Sequence, residues 1–142
     1  MCKTQLIKAV VENVISKTNF GQCMKKIKII SAGSGNCKAE LVISDEHLNA
    51  GGTLHGGFTS TLIDCISSYA VMTQGAGVPG VSVDLHVTFM KAAFPDELIT
   101  IDAKTVRAGK SLAFLAVDVT KNNGVDMVAH GRHTKYLLQG KQ

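Results

Sequence analysis

The chain reads as an α+β domain: a six-stranded antiparallel sheet wrapped around one long central helix, with an N-terminal helix before it. Three observations lead there. Residues 56–73 hold no proline and one charge, Asp64, while Leu62, Ile63, Ile66, Tyr69, Ala70 and Met72 leave almost no polar face. A helix that is apolar nearly all round is covered on every side. Four long segments of strand-like alternation follow it, bounded by turn residues. Upstream, Ile7, Val10, Val11, Val14 and Ile15 recur at helical spacing.

Taken in order, residues 4–17 form the amphipathic N-terminal helix. "KIKII" at 26–30 alternates charge with isoleucine and predicts a strand, with its turn at Gly33 and Gly35. "CKAELVI" at 37–43 is the hairpin partner. Ser44 or Asp45 can cap a short helical turn carrying His47, Leu48 and Asn49. The central helix begins at Gly56. Strands follow at 81–90, 98–106, 111–120 and 126–137, separated by Phe94-Pro95-Asp96, Ala108-Gly109-Lys110 and Asn122-Asn123-Gly124. The hairpin signals predict an antiparallel meander for these four strands, with Val81, Val83, Leu85, Val87 and Phe89 on one face. No repeat, low-complexity segment or linker divides residues 1–142, so one domain is expected.

The totals exclude several classes. Hydrophobic content of 45% and charged content of 18% describe a globular chain. Net charge is +4, and the basic residues are scattered rather than clustered. With two Tyr, five Phe and no Trp, there is little to stack nucleic-acid bases, so no nucleic-acid partner is expected; a small anionic ligand fits the charge equally well. Cysteines 2, 23, 37 and 65 show no metal-ligand spacing and read as free thiols of a reducing compartment. No signal peptide or transmembrane segment is expected, and the N-terminal stretch lacks the arginines of a mitochondrial presequence.

The chemistry concentrates in "AGGTLHGGFTSTLID" at 50–64. His55 precedes a Gly-Gly helix start, where unpaired N–H groups and the positive end of the helix dipole lie. Glycines 56 and 57 let a ligand approach those donors, which suits an anion or a carbonyl oxygen gaining charge. The same glycines would equally serve a sharp entry into a packed helix. Asp64 is either a general base or a buried carboxylate held by backbone, Ser67 or Ser68. Eight residues of helix set it roughly 12 Å along the axis from Gly56, too far for both to reach one carbonyl within a chain. If the two cooperate, Asp64 acts on a substrate held by Gly56 of a second copy, which predicts a dimer with two equivalent sites.

Other candidates carry less. His130 and His133, three apart on a strand, point to opposite faces, so no metal site is expected. Asn49 reads as a turn residue, and Ser82 as a hydrogen-bonding group without an adjacent base. Arg107, Lys110, Arg132 and Lys135 flank strands and turns as solvated charges.

The segments "HLNAGGTLHGGFTSTLID", "PGVSVDLHVTFMKAA" and "GKSLAF…GRHTK" together resemble the hotdog-fold acyl-coenzyme A thioesterases nearly end to end. By position, the resemblance implies that the Gly56 N–H polarises the thioester carbonyl and that His55 and Asn49 orient that region. It implies that Asp64 of the partner subunit activates water and that Ser82 helps hold it. It further implies a dimer of dimers, medium- to long-chain fatty acyl-coenzyme A as substrate, cytosolic and mitochondrial association, and phosphatidylcholine transfer protein as a partner. No metal or cofactor is needed, because a thioester yields to a positioned water, a base and one or two oxyanion donors. Arg107, Lys110, Arg132 and Lys135 are the cations available for the coenzyme A phosphates. Two other classes stay open: an acyl-thioester hydratase or dehydratase pairing His55 with Asp64, and a non-catalytic acyl-chain binder.

Overall fold

The computed structural model describes residues 2–137. Helix α1 spans Lys3–Ile15 and buries Ile7 and Val11. Its Thr4 hydroxyl exchanges hydrogen bonds with the Ala32 backbone, which fastens it to the first hairpin. That hairpin joins β1 (Lys28–Gly33) to β2 (Asn36–Val42). Ser34 and Gly35 both take positive φ in its two-residue turn, the backbone that matches strand twist. The strand expected at 26–30 therefore starts two residues later and runs on to Gly33. Lys25 and Lys26 instead pair with Glu46 across the next loop.

Helix α2, Gly56–Met72, lies across β2, β4 (Leu98–Ala108), β5 (Leu112–Lys121) and β6 (Asp126–Tyr136). Leu62, Ile63 and Ile66 are fully buried between helix and sheet, against Ile99, Ile101 and Val117. A side chain at Gly131 would collide with Ile63, so glycine lets the helix sit directly on β6.

The sheet order is β1-β2-β4-β5-β6-β3, antiparallel throughout, with β3 at Val81–Phe89. Three of the last four strands form the expected meander, but β3 does not neighbour β4. It pairs with β6 and becomes an edge. The eight-residue connection through Phe94-Pro95-Asp96 is no tight hairpin, and it frees β3 to cross over.

A second departure lies within β3. Its register slips between Ser82 and Asp84, so the expected single apolar face is broken. Val81 pairs with Tyr136 on the outer face, while Ser82 joins Leu85, Val87 and Phe89 on the inner one. Nor is α2 covered all round. Gly57, Thr61, Asp64 and Ser68 make a strip that the single chain leaves partly open. Beside it the β3 edge exposes Val83 at 61% and Phe89 at 57%. Among the described residues no helix is long and apolar enough to cross a membrane.

Candidate active site

Asp64 sits in mid-α2 on the open strip, its side chain 46% exposed. It is not the buried carboxylate expected from the sequence, and neither serine holds its carboxyl group. Ser67 and Ser68 hydroxyls donate instead to the Asp64 backbone carbonyl, at 3.1 and 2.8 Å. The carboxylate faces His133 of β6, with Oδ1 3.8 Å from Nε2.

His133 is the centre of a chain of hydrogen bonds. Its Nδ1 lies 2.8 Å from Ser67 Oγ and its Nε2 lies 2.7 Å from Ser82 Oγ. Ser67 spends its one proton on the Asp64 carbonyl, so we assign the imidazole proton to Nδ1, donating to Ser67. Nε2 then accepts from the Ser82 hydroxyl, whose lone pairs are left for a further donor such as water. Burial is the main cause that holds the His133 pKa below its ordinary value; Lys135 adds to this and Asp64 opposes it. The β3 bulge is what delivers Ser82 to this group.

The other end of α2 is built differently. His55 is the N-cap: its Nδ1 accepts from the N–H groups of Gly57 at 2.9 Å and Phe58 at 3.4 Å. That use of the ring, with Asp64 roughly 12 Å along the helix, gives no His55–Asp64 acid–base pair within a chain. Gly56 comes first in the helix, and no described group accepts from its N–H. An added Cβ there would touch the Phe89 ring at 3.4 Å. Asn49 closes a turn, its Oδ1 accepting from Gly51 and Thr53 and its Nδ2 donating to Thr53 Oγ1. A cleft of about 390 Å³ opens here between Asn49, Gly56, Phe89 and Lys91.

The four basic candidates are not one cluster. Arg107 and Lys110 are exposed and line a cleft beyond the C-terminus of α2, beside Gln74 and Leu137. Arg132 is exposed on the outer sheet face. Lys135 lies on the inner face, 4% exposed, donating to Ser68 Oγ. It is therefore not the solvated charge expected. Burial depresses its pKa, while nearby Asp64 works the other way. Among the described residues no three His, Cys, Asp or Glu side chains converge as a metal would require.

In the sequence His133 suggests a metal ligand and nothing else. A signal was present: strand alternation puts Gly131, His133 and Lys135 together on the face that should be apolar.

With this geometry in hand, the profile of the thioesterase superfamily matches residues 51–128, which span the α2 N-terminus, Asp64, Ser82 and β3 to β5. The chain belongs to that superfamily, a family of thioester hydrolases, and has its hotdog fold. Acyl-coenzyme A thioesterase 13 of Homo sapiens is 42% identical over 134 residues, covering 94% of this chain and 96% of that one. Zebra fish thioesterase superfamily member 2 superposes with a TM-score of 0.92 at 39% identity, covering 95% of this chain and 98% of the other. A hypothetical thioesterase protein from Streptococcus pneumoniae TIGR4, solved with coenzyme A, superposes at TM-score 0.75 and 26% identity, over 82% and 91% of the two chains.

Proposed function

We propose that the protein hydrolyses medium- to long-chain fatty acyl-coenzyme A to free fatty acid and coenzyme A, at two sites shared between two copies. The Asp64 carboxylate takes a proton from water as that water attacks the thioester carbon. Ser82, oriented by His133, accepts the water's other hydrogen bond. The carbonyl oxygen becomes negative and is met by the free Gly56 N–H at the positive end of α2. Collapse of the tetrahedral species breaks the carbon–sulfur bond and releases the thiolate of coenzyme A, which takes up the proton held by Asp64 and restores the carboxylate.

One observation carries this reading. A half-open carboxylate with its Ser82–His133 array and an unpaired Gly56 N–H lie on one helix, roughly 12 Å apart, both beside the open β3 edge. An antiparallel pairing of two β3 edges near Leu85 and His86 would set Ser82 of one copy opposite Phe89 of the other. Phe89 lies against Gly56, so each site would combine the two halves. The relatives' names support the acyl-coenzyme A part, and the coenzyme A found with the Streptococcus protein supports the coenzyme A portion of the substrate as a ligand. Of the candidate cations, the exposed Arg107 and Lys110 are better placed for phosphates than the buried Lys135.

Free-thiol release from palmitoyl-coenzyme A tests the assignment. Asp64→Asn should lower kcat about a hundredfold or more, within the range of a general base. Equal turnover by both proteins would make the carboxylate structural. Gly56→Pro is the complementary variant. Proline is favoured at the first helical position, and His55 already has the extended backbone that a following proline requires (φ −66, ψ 129). It deletes the N–H and should cost roughly a hundred- to a thousandfold in kcat. Gly56→Ala keeps the N–H and serves as the volume control.

A further inference from the structure

His47 is 2% exposed, and its Nε2 is a buried polar atom with no hydrogen-bond partner among the described residues. Buried polar groups are nearly always paired, so an unpaired one needs a reason. The rest of the residue supplies one. Its backbone carbonyl accepts from the His55 N–H at 2.9 Å, immediately before Gly56. Its ring stacks on Phe58, two residues after Gly56, with centroids 4.6 Å apart and planes 13° from parallel. The ring is itself pinned, because Nδ1 accepts from the Ser44 N–H at 3.0 Å. Gly56 is thus bracketed by two contacts to one residue, and that residue is anchored at a third point.

We propose that His47 is a positioning residue for the Gly56 donor: it fixes the peptide plane that aims the N–H at the carbonyl oxygen. The inference rests on the oxyanion reading of Gly56. Leu54 adds a hold from the other side, its N–H donating to the Ala93 carbonyl at 2.8 Å, while His47 grips both flanks of the glycine. The choice of histidine follows from the two demands on the side chain. Asparagine could accept from Ser44 but could not stack on Phe58. Phenylalanine could stack but could not accept. Histidine does both, and the idle Nε2 is the consequence. A displacement of about 1 Å at a reacting centre costs on the order of a hundredfold in rate, so a residue that never touches substrate can still govern kcat.

The test is a double-mutant cycle on palmitoyl-coenzyme A hydrolysis. His47→Ala should lower kcat by about ten- to a hundredfold and leave KM within about twofold, since the loss falls on the transition state alone. His47→Asn and His47→Phe should each recover part of it, and they carry the cycle if the alanine variant does not fold. In a Gly56→Pro background the same changes should cost no more than about twofold, because the donor they aim is gone. Undiminished kcat in His47→Ala would overturn the proposal. So would an equal loss in both backgrounds, which would mark a general structural role. If Gly56→Pro alone keeps the wild-type kcat, the oxyanion reading falls and takes this proposal with it; that failure is read from the single variant.

Discussion

Protonating His133 would put a hydrogen on Nε2, the atom assigned above as accepting from Ser82, and would reverse that bond, with Nε2 donating to Ser82 Oγ. Its pKa is held down first by burial and then by Lys135. Folding therefore favours the neutral ring. The ring's contribution to stability is complete above its unfolded value, about 6.5, and is lost as pH falls through the lower folded value. Between about pH 7.5 and pH 5 the urea midpoint of the wild type should fall further than that of His133→Asn, which carries no titrating group there. Equal falls would show that His133 is not coupled to folding. His47 has the same direction of shift, again mainly from burial, but it is present in both proteins and cancels from the comparison. Asp64, Gly56 and His55 stand out as candidates at this scale, because a lone acid in an apolar helix and an H-G-G start are local anomalies. His133 was not, since its role depends on a serine 51 positions earlier in the chain.

The helix–sheet contact turns on one strand position. A Cβ at Gly131 would lie 2.6 Å from Ile63 Cγ2, a branch fixed close to the helix backbone and unable to swing aside. Gly131→Ala should therefore destabilise the protein by about 1–3 kcal/mol in urea unfolding, with Ile63→Leu, which has no Cγ2, recovering part of the loss in the same chain. A neutral Gly131→Ala would mean that β6 can move off the helix. Helices and strand existence could be read from periodicity, and the Asn122-Asn123-Gly124 turn from composition; Asn122 and Asn123 do adopt positive φ. The placement of β3 could not. Its pairing with β6 is a long-range choice, and the bulge that re-aims Ser82 inserts one residue without any mark in the alternating pattern.

At the scale of the whole molecule, the open β3 edge and the uncovered strip of α2 are adjacent, and unpaired edge strands invite a partner. If each site is shared between two copies, Asp64→Asn and Gly56→Pro are defects in different halves. Mixed and reassorted, the two inactive proteins should regain activity: about half the dimers are hybrids with one intact site of two, giving roughly a quarter of the wild-type rate by two-fold symmetry. A mixture as inactive as its components would put both groups in a single-chain site or in none. The same experiment distinguishes hydrolysis at a shared site from simple binding of an acyl chain, because binding alone releases no thiol.

Short-range chemistry wrote much of this protein into its chain. The apolar helix with one acid, the glycine start behind His55, the alternating strands and the turn residues each act over a few positions, and each is visible there. Tertiary structure settled the rest. It put β3 at the edge, turned Ser82 inward, buried Lys135, left Asp64 half open and brought His133 between two serines from separate elements. Those outcomes depend on which strands pair and on a one-residue slip in register. Such choices are made by the packing of distant segments against a common core, where no local pattern records them.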